Sequence, residues 1–272
     1  MPSTRFLFWN INQKPLAELI AELADIHRAD VIVLAESNTE PGVMLQTLNT
    51  GRRGGFHFPA GLSKHVKVFT RFAREFLQPS FETDRISIRR LVLPARTELL
   101  IVAVHLPSKL HWSGESQAFE CAELASRIAA EEDHVGHRRT VLVGDFNMNP
   151  FEAGMVAAGG LNSVMSRRIA SRLTRTVQGR DYRFFYNPMW GCLGDAGGET
   201  AGSYFYDSAE HVNYFWNVFD QVLIRPELAQ GFDPSQLKIV TSAGARSLVR
   251  ADGRPDHVTC SDHLPVVFEL NF

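Results

Sequence analysis

The run Thr140-Val141-Leu142-Val143, followed at once by Gly144-Asp145-Phe146-Asn147-Met148-Asn149-Pro150, constrains this chain more than any other segment. Four residues of strand-forming type in a row read as a buried strand. The strand ends in Gly-Asp-x-Asn, which puts a carboxylate and an amide at its C-terminal tip. Open α/β sheets hold their ligands at such tips. Taken alone, the same residues also describe a turn that simply leaves a strand. Their companions elsewhere in the chain decide between the two readings.

Other apolar runs repeat the theme. Phe6-Leu7-Phe8-Trp9, Val31-Ile32-Val33-Leu34 and Leu99-Leu100-Ile101-Val102-Ala103-Val104 read as buried strands. Val66-Lys67-Val68-Phe69 and Ile86-Ser87-Ile88-Arg89 alternate as half-exposed strands do. Val218 to Ile224 and Pro265 to Leu270 close the series. Between the first two strands, Leu16, Leu19, Ile20, Leu23 and Ile26 recur at helical spacing after Pro15, a favoured first-turn residue. A second helix is expected from about Glu115 to Asp133, with Phe119, Leu124 and Ile128 on one face. A short helix is expected after Pro150. The order fits an α/β protein: two mixed β-sheets packed face to face with helices outside.

The stretch from Ser166 to Tyr214 breaks this rhythm. It is rich in Gly, Arg and aromatic residues and shows little periodicity. Loops of that length in a compact domain are functional or inserted. The expected organisation is therefore one domain over residues 1–272 with a substrate-loop insertion around 166–214.

Composition excludes several classes. With 44% hydrophobic and 21% charged residues, the chain is not a disordered one. No apolar stretch is long enough to cross a bilayer. The opening Met1-Pro2-Ser3-Thr4-Arg5-Phe6 has no basic segment followed by a long apolar core, so a cytoplasmic location is expected. Cys121, Cys192 and Cys260 are far apart, which argues against a zinc ribbon or a disulfide framework. A net charge of −2 neither favours nor excludes a polyanionic partner. Oligomeric state is not legible.

Polar residues gather at the strand ends. Asn10 and Asn12 follow Trp9, Glu36 follows the Val31 strand, and His105 follows Val104. Asp145 and Asn147 follow Val143, Asp220 precedes Gln221-Val222-Leu223-Ile224, and Ser261-Asp262-His263 opens the last strand. If these tips converge, carboxylates and amides without thiols make a site for a hard cation such as Mg²⁺ or Mn²⁺. Bland readings exist for each residue. Asn10 suits a turn, Glu36 a solvated loop, and Asp220 an exposed strand end. A Ser/His/Asp triad within Ser261-Asp262-His263 is disfavoured, because no Gly-x-Ser-x-Gly elbow occurs.

The ordered series Trp9-Asn10-Ile11-Asn12, Leu34-Ala35-Glu36, Val104-His105-Leu106, Gly144-Asp145-Phe146-Asn147, Phe219-Asp220-Gln221-Val222-Leu223 and Ser261-Asp262-His263-Leu264-Pro265 resembles the endonuclease/exonuclease/phosphatase superfamily of DNase I-like phosphoesterases. The resemblance runs from about Arg5 to Leu270. It implies a DNase I-like fold, a four-layer α/β sandwich, and metal-dependent cleavage of a phosphate ester. It also implies Glu36 as the main metal ligand, with Asn10 beside it and Asp262 as a further ligand. Asp145 would orient or deprotonate the attacking water, and Asn147 would hold that water or a phosphate oxygen. His263, oriented by Asp220, would bind phosphoryl oxygens. His105 stands where abasic-site endonucleases commonly carry tyrosine, so that assignment is weakened. In DNase I-like members this histidine pairs with a carboxylate, for which Glu82 and Asp84 are the candidates.

Substrate readings differ. Arg167, Arg168, Arg172, Arg175, Arg180 and Arg183 are opposed only by Asp181, and Tyr182, Phe184, Phe185, Tyr186 and Trp190 are interleaved or follow. Arginine with aromatics suits a flexible phosphate-rich strand, with Arg167, Arg172, Arg175 and Tyr182 as contacts. The favoured expectation is a nuclease acting on DNA or RNA. The alternative is a phosphatase or phosphodiesterase for a small phosphorylated molecule or lipid head group such as an inositol phosphate. A binding module on a decayed scaffold is a third reading, and the completeness of the strand-tip set argues against it. The arginines also fit the wet face of a helix, and the aromatics a core.

Overall fold

The structure is a computed structural model and describes residues 3–51, 53–95, 97–110 and 112–272. Met1 and Pro2 of the opening segment lie outside the described residues.

The first half runs β1 (Ser3–Asn10), α1 (Ala17–Ile26), β2 (Val31–Ala35), α2 (Pro41–Asn49), β3 (Val66–Thr70), β4 (Leu77–Glu82), β5 (Ile86–Leu91), β6 (Leu99–His105), α3 (Gly114–Val135) and β7 (Thr140–Asp145). Then come α4 (Ala153–Val156), β8 (Ser163–Val164), α5 (Arg167–Ala170), β9 (Thr174–Val177), β10 (Arg180–Arg183) and β11 (Phe185–Tyr186). The chain closes with β12 (Tyr204–Phe205), β13 (Trp216–Asn217), β14 (Asp220–Ile224), β15 (Lys238–Ile239), β16 (Ser242–Ala243), β17 (Arg246–Ser247) and β18 (Val266–Asn271).

Two large mixed sheets form, in the orders β15-β18-β1-β2-β3 and β4-β5-β6-β7-β14-β11-β8. Strand alternation builds four layers from them. Phe6 and Phe8 of β1 face Leu99, Ile101 and Ala103 of β6 and Val141 and Val143 of β7 between the sheets. The intervening Leu7 and Trp9 pack outward with Leu19, Ile20 and Leu23 of α1. Leu100, Val102 and Val104 pack outward with Cys121, Leu124 and Ile128 of α3. Strands buried on both faces have to be apolar at every position, which is why these runs lack a polar stripe. The four-layer sandwich expected from the sequence is the fold observed.

Helix α3 is capped at both ends. Ser113 accepts a hydrogen bond from Ser116 N, and Gly136 ends the helix at φ 74°. The expected face needs one correction: Phe119 is 75% exposed, while Cys121 lies inward with Leu124 and Ile128. Phe119 stands five positions from Leu124, a spacing that puts two side chains on different faces of a helix. The 166–214 stretch contains short elements rather than one loop. A β9–β10 hairpin is followed by β11, which pairs with β14 at Tyr186↔Ile224. Strands of two to four residues are too short to print a periodicity. Among the described residues, no helix is long and apolar enough to cross a membrane.

Candidate active site

Strand direction collects the polar tips on one rim. Strands β1 and β2 run parallel, as do β6 and β7, so Asn10, Glu36, His105 and Asp145 leave the sheets at the same end. Strand β14 is antiparallel to β7 and sets Asp220 opposite Asp145. Strand β18 is antiparallel to β1, so His263, just before it, arrives at the same rim.

Several backbone features at this rim are uncommon. Asn12, Gln13, Glu36 and Asn147 all have positive φ, with Glu36 at 49° and Asn147 at 52°. Non-glycine residues in this region cluster at functional sites. Gly144 precedes Asp145 because a Cβ there would meet the Val104 carbonyl oxygen at 2.0 Å. The approach of β7 to β6 permits no side chain at that position.

Asp145 is 1% exposed and lies at the centre. Its Oδ2 accepts from Asn10 Nδ2 at 2.8 Å, and its Oδ1 accepts from Asn147 N at 2.8 Å. His105 Nε2 and His263 Nε2 flank the same Oδ2 at 3.8 and 3.9 Å. Asn10 Nδ2 also reaches Glu36 Oε1 at 3.3 Å, and His105 Nε2 lies 3.2 Å from that oxygen. The bond from His105 outweighs the opposing effect of burial and, with its charge and the Asn10 amide, holds the Glu36 carboxyl down at about 2.

His263 Nδ1 lies 2.8 Å from Asp220 Oδ2. Burial alone would lower the imidazole pKa. The Asp220 and Asp145 charges and the Asp220 bond overcome it and raise His263 to about 10. His263 is therefore an imidazolium at neutral pH, held by a buried carboxylate. Asp262 is half-buried and receives a bond from Ser261 Oγ at 3.3 Å.

Asn10, Glu36, His105, Asp145, Asn147, Asp220, Asp262 and His263 thus share one rim. The partner of His105 differs from the candidates named above. Glu82 Oε1 binds Arg89 at 2.6 Å, and Asp84 binds Lys64 at 3.1 Å, so His105 faces Glu36 instead. The arginine stretch also lies elsewhere. Tyr186 pairs with Ile224, at the far end of β14 from Asp220. Arg167 donates to Phe232 O at 3.0 Å, and Phe232 bridges to Leu270 at the far end of the other sheet. Arg175 donates to Val156 O at 3.0 Å, and Tyr182 faces Arg175 within the hairpin. Arg172 is exposed beside that hairpin. Arg167, Arg172, Arg175 and Tyr182 are not brought to the Asp145 cluster. Composition showed the charge; it could not show which end of a sheet carries it.

Other residues at the rim were not foreseen. Tyr204 packs its ring 4.6 Å from His263, and Ser203 Oγ accepts from Asp220 N at 3.3 Å. Both belong to the aperiodic stretch, where no local pattern marks them. Asn149, within the Gly-Asp-Phe-Asn-Met-Asn-Pro run, binds Asn217 Oδ1 at 2.8 Å and ties that run to β13.

The donors suit a hard cation. Asp145, Asp220 and His263 lie with one ligand-type atom each within 4.8 Å of the others, but with His263 protonated and its Nδ1 on Asp220 they form an acid–imidazolium network, which leaves Glu36 as the open donor. Glu36 is ionised and keeps 27% of its side chain open to solvent, so an oxygen-preferring divalent ion has both charge and access there. The three cysteines are buried and free.

Comparison with known proteins agrees with this geometry. A family model described as the endonuclease/exonuclease/phosphatase family matches residues 7–266. Truncated TDP2 from Caenorhabditis elegans superposes with a TM-score of 0.59 at 11% identity, covering 99% of this chain and 98% of that one. TDP2 from D. rerio, complexed with a single-strand DNA product, gives 0.58 at 14% identity and covers both chains fully, at 100% each. The endonuclease domain of TRAS1, a telomere-specific non-LTR retrotransposon, gives 0.56 at 13% identity with 99% of both chains covered. No curated protein is close enough in sequence to count as a match. With the family pattern spanning nearly the whole chain and the DNase I-like fold beneath it, the chain belongs to the endonuclease/exonuclease/phosphatase family, whose chemistry is phosphoric ester hydrolysis.

Proposed function

We propose that this protein is a divalent-metal-dependent phosphodiesterase that hydrolyses phosphodiester bonds in nucleic acid by in-line attack of water. The observation that carries the reading is Asp145 buried between two imidazoles, with Glu36 and Asn10 beside it.

Mg²⁺ or Mn²⁺ would be held by Glu36, with Asn10 beside it and Asp262 as a further ligand. When bound, the cation offsets negative charge on the phosphoryl group and its leaving oxygen. The chain supplies the rest. Asp145 orients the attacking water and takes its proton, with its carboxylate fixed by Asn10 and by the Asn147 amide. Asn147 faces the water or a phosphoryl oxygen. The His263 imidazolium donates from Nε2 to a non-bridging phosphoryl oxygen while Asp220 fixes Nδ1. His105 contacts the phosphate or gives a proton to the leaving oxygen.

Nucleic acid is favoured over a small phosphate ester by the aromatic walls beside the rim, and by fold relatives that include a TDP2 carrying a single-strand DNA product and an endonuclease domain. The test is incubation with labelled single-stranded DNA, duplex DNA and RNA in Mg²⁺, Mn²⁺ or EDTA. Cleavage with a metal and none in EDTA is the expected result. Intact polymers under every condition, with turnover of an inositol phosphate, would overturn the nuclease reading.

A further inference from the structure

Beside the catalytic rim lies a cavity of about 420 Å³, within the size range of small-molecule sites. Asn147 and Tyr204 belong to its lining, and Tyr204 also packs against His263, so the cavity is continuous with the catalytic centre. Its floor is the stacked pair Tyr204 and Phe219, with ring centroids 5.2 Å apart. Tyr206 and Tyr214 form walls and stay 47% and 55% exposed. Phe151 braces Tyr214 edge-on at 5.3 Å. In the same lining the Asn213 amide is taken up by its own loop, with Oδ1 accepting from Phe215 N at 2.8 Å and Nδ2 donating to Ser208 O at 3.1 Å, which fixes the turn that carries Tyr214.

Half-exposed rings held open beside a phosphate-handling centre suit a flat aromatic ligand. Its faces would stack on the tyrosines.

We propose that the cavity is a subsite for one unpaired nucleobase of the substrate strand, next to the scissile phosphate; this rests on the nuclease reading above. A base that stacks on Tyr206 and Tyr214 has left its own partner. The enzyme therefore acts on single strands or frayed ends in preference to continuous duplex.

The experiment uses single-stranded oligonucleotides in which one abasic residue is placed at successive positions, cleaved in Mg²⁺ or Mn²⁺. For the wild type, removing the base at one fixed distance from the cut bond should lower kcat/KM by about 5- to 150-fold, the range that base–aromatic stacking supplies. For the double variant Tyr206→Ala, Tyr214→Ala, the ratio between intact and abasic substrate should fall toward one. Val212→Trp, at an exposed lining position, should fill the cavity and bring the intact substrate down to the abasic rate. It keeps the test open if the double variant does not fold. Equal cleavage of all abasic substrates by the wild type, or a wild-type ratio retained in the variants, overturns the subsite while leaving the nuclease reading intact. Absence of cleavage of every oligonucleotide overturns the nuclease reading itself.

Discussion

Asp220 and His263 meet through Oδ2 and Nδ1 at 2.8 Å, and neither side chain is more than 8% exposed. The pairing has a pH signature in the metal-free protein. Folded His263 is raised to about 10, whereas an unfolded histidine titrates near ~6.5. Between those values the folded state keeps a proton that the unfolded state has released. That contribution to stability is complete below about pH 6.5 and is lost as pH rises through about 10. In Asp220→Asn the carboxylate is gone and burial pulls the imidazole down. Urea midpoints in EDTA should therefore fall less steeply from pH ~7 to pH ~9 in the variant than in the wild type. Identical slopes would show that another group controls the alkaline limb.

The Asp145 carboxylate receives bonds from Asn10 and Asn147 and faces both imidazoles. Asp145→Asn keeps its shape and removes its charge. Turnover of a phosphodiester substrate should drop about 10²- to 10⁴-fold, as expected for loss of a general base. A thermal melt within a few degrees of wild type would establish that the fold survived. A rate within a factor of two of wild type would remove Asp145 from its proposed role.

Much of this site was legible because each of its residues closes or opens a strand. An apolar run such as Val141-Leu142-Val143 announces a strand, and the polar residue after it announces the tip. Strand direction then brings Asn10, Glu36, His105 and Asp145 to one rim without any knowledge of loops. Tyr204 and Ser203 were not legible, since they stand in strands of two residues or beside them and reach His263 and Asp220 through the fold alone. The partner of His105 failed for a related reason. Glu82 and Asp84 were the candidates, but Arg89 and Ser87 take up the Glu82 carboxylate and Lys64 that of Asp84.

Glu132 illustrates a charge held for structure, at the end of the sandwich away from the rim. It is 1% exposed. Its Oε1 accepts from Arg225 Nε and Thr140 Oγ1, both at 2.7 Å, and its Oε2 accepts from Arg183 Nη1 at 3.3 Å. The carboxylate joins α3 to the start of β7 and the end of β14. Glu132→Gln leaves the buried Arg225 uncompensated and should destabilise the protein by about 3–5 kcal/mol. A urea titration at neutral pH would read this as a lower midpoint at unchanged slope. A loss under about 1 kcal/mol would mean that the arginines find other partners.

The arginine-rich hairpin offers the opposite case, a charge cluster that composition favours as a substrate contact and that the fold places elsewhere. Arg175 is engaged with the Val156 carbonyl, and β11, which follows the hairpin, joins β14 at the end remote from Asp220. A short oligonucleotide cut at Asp145 has no contact to make there. Replacing Arg172 and Arg175 with Ala should leave kcat/KM for a short single strand within about twofold of wild type, and the slope of log binding constant against log salt unchanged. Each phosphate contact removed would otherwise flatten that slope by about 0.7 on a single strand. Binding by fluorescence anisotropy from low to moderate salt measures it directly. A flatter slope in the double variant would mean that the strand extends from the rim to the far edge of the sandwich, and the arginines would regain a role in substrate binding.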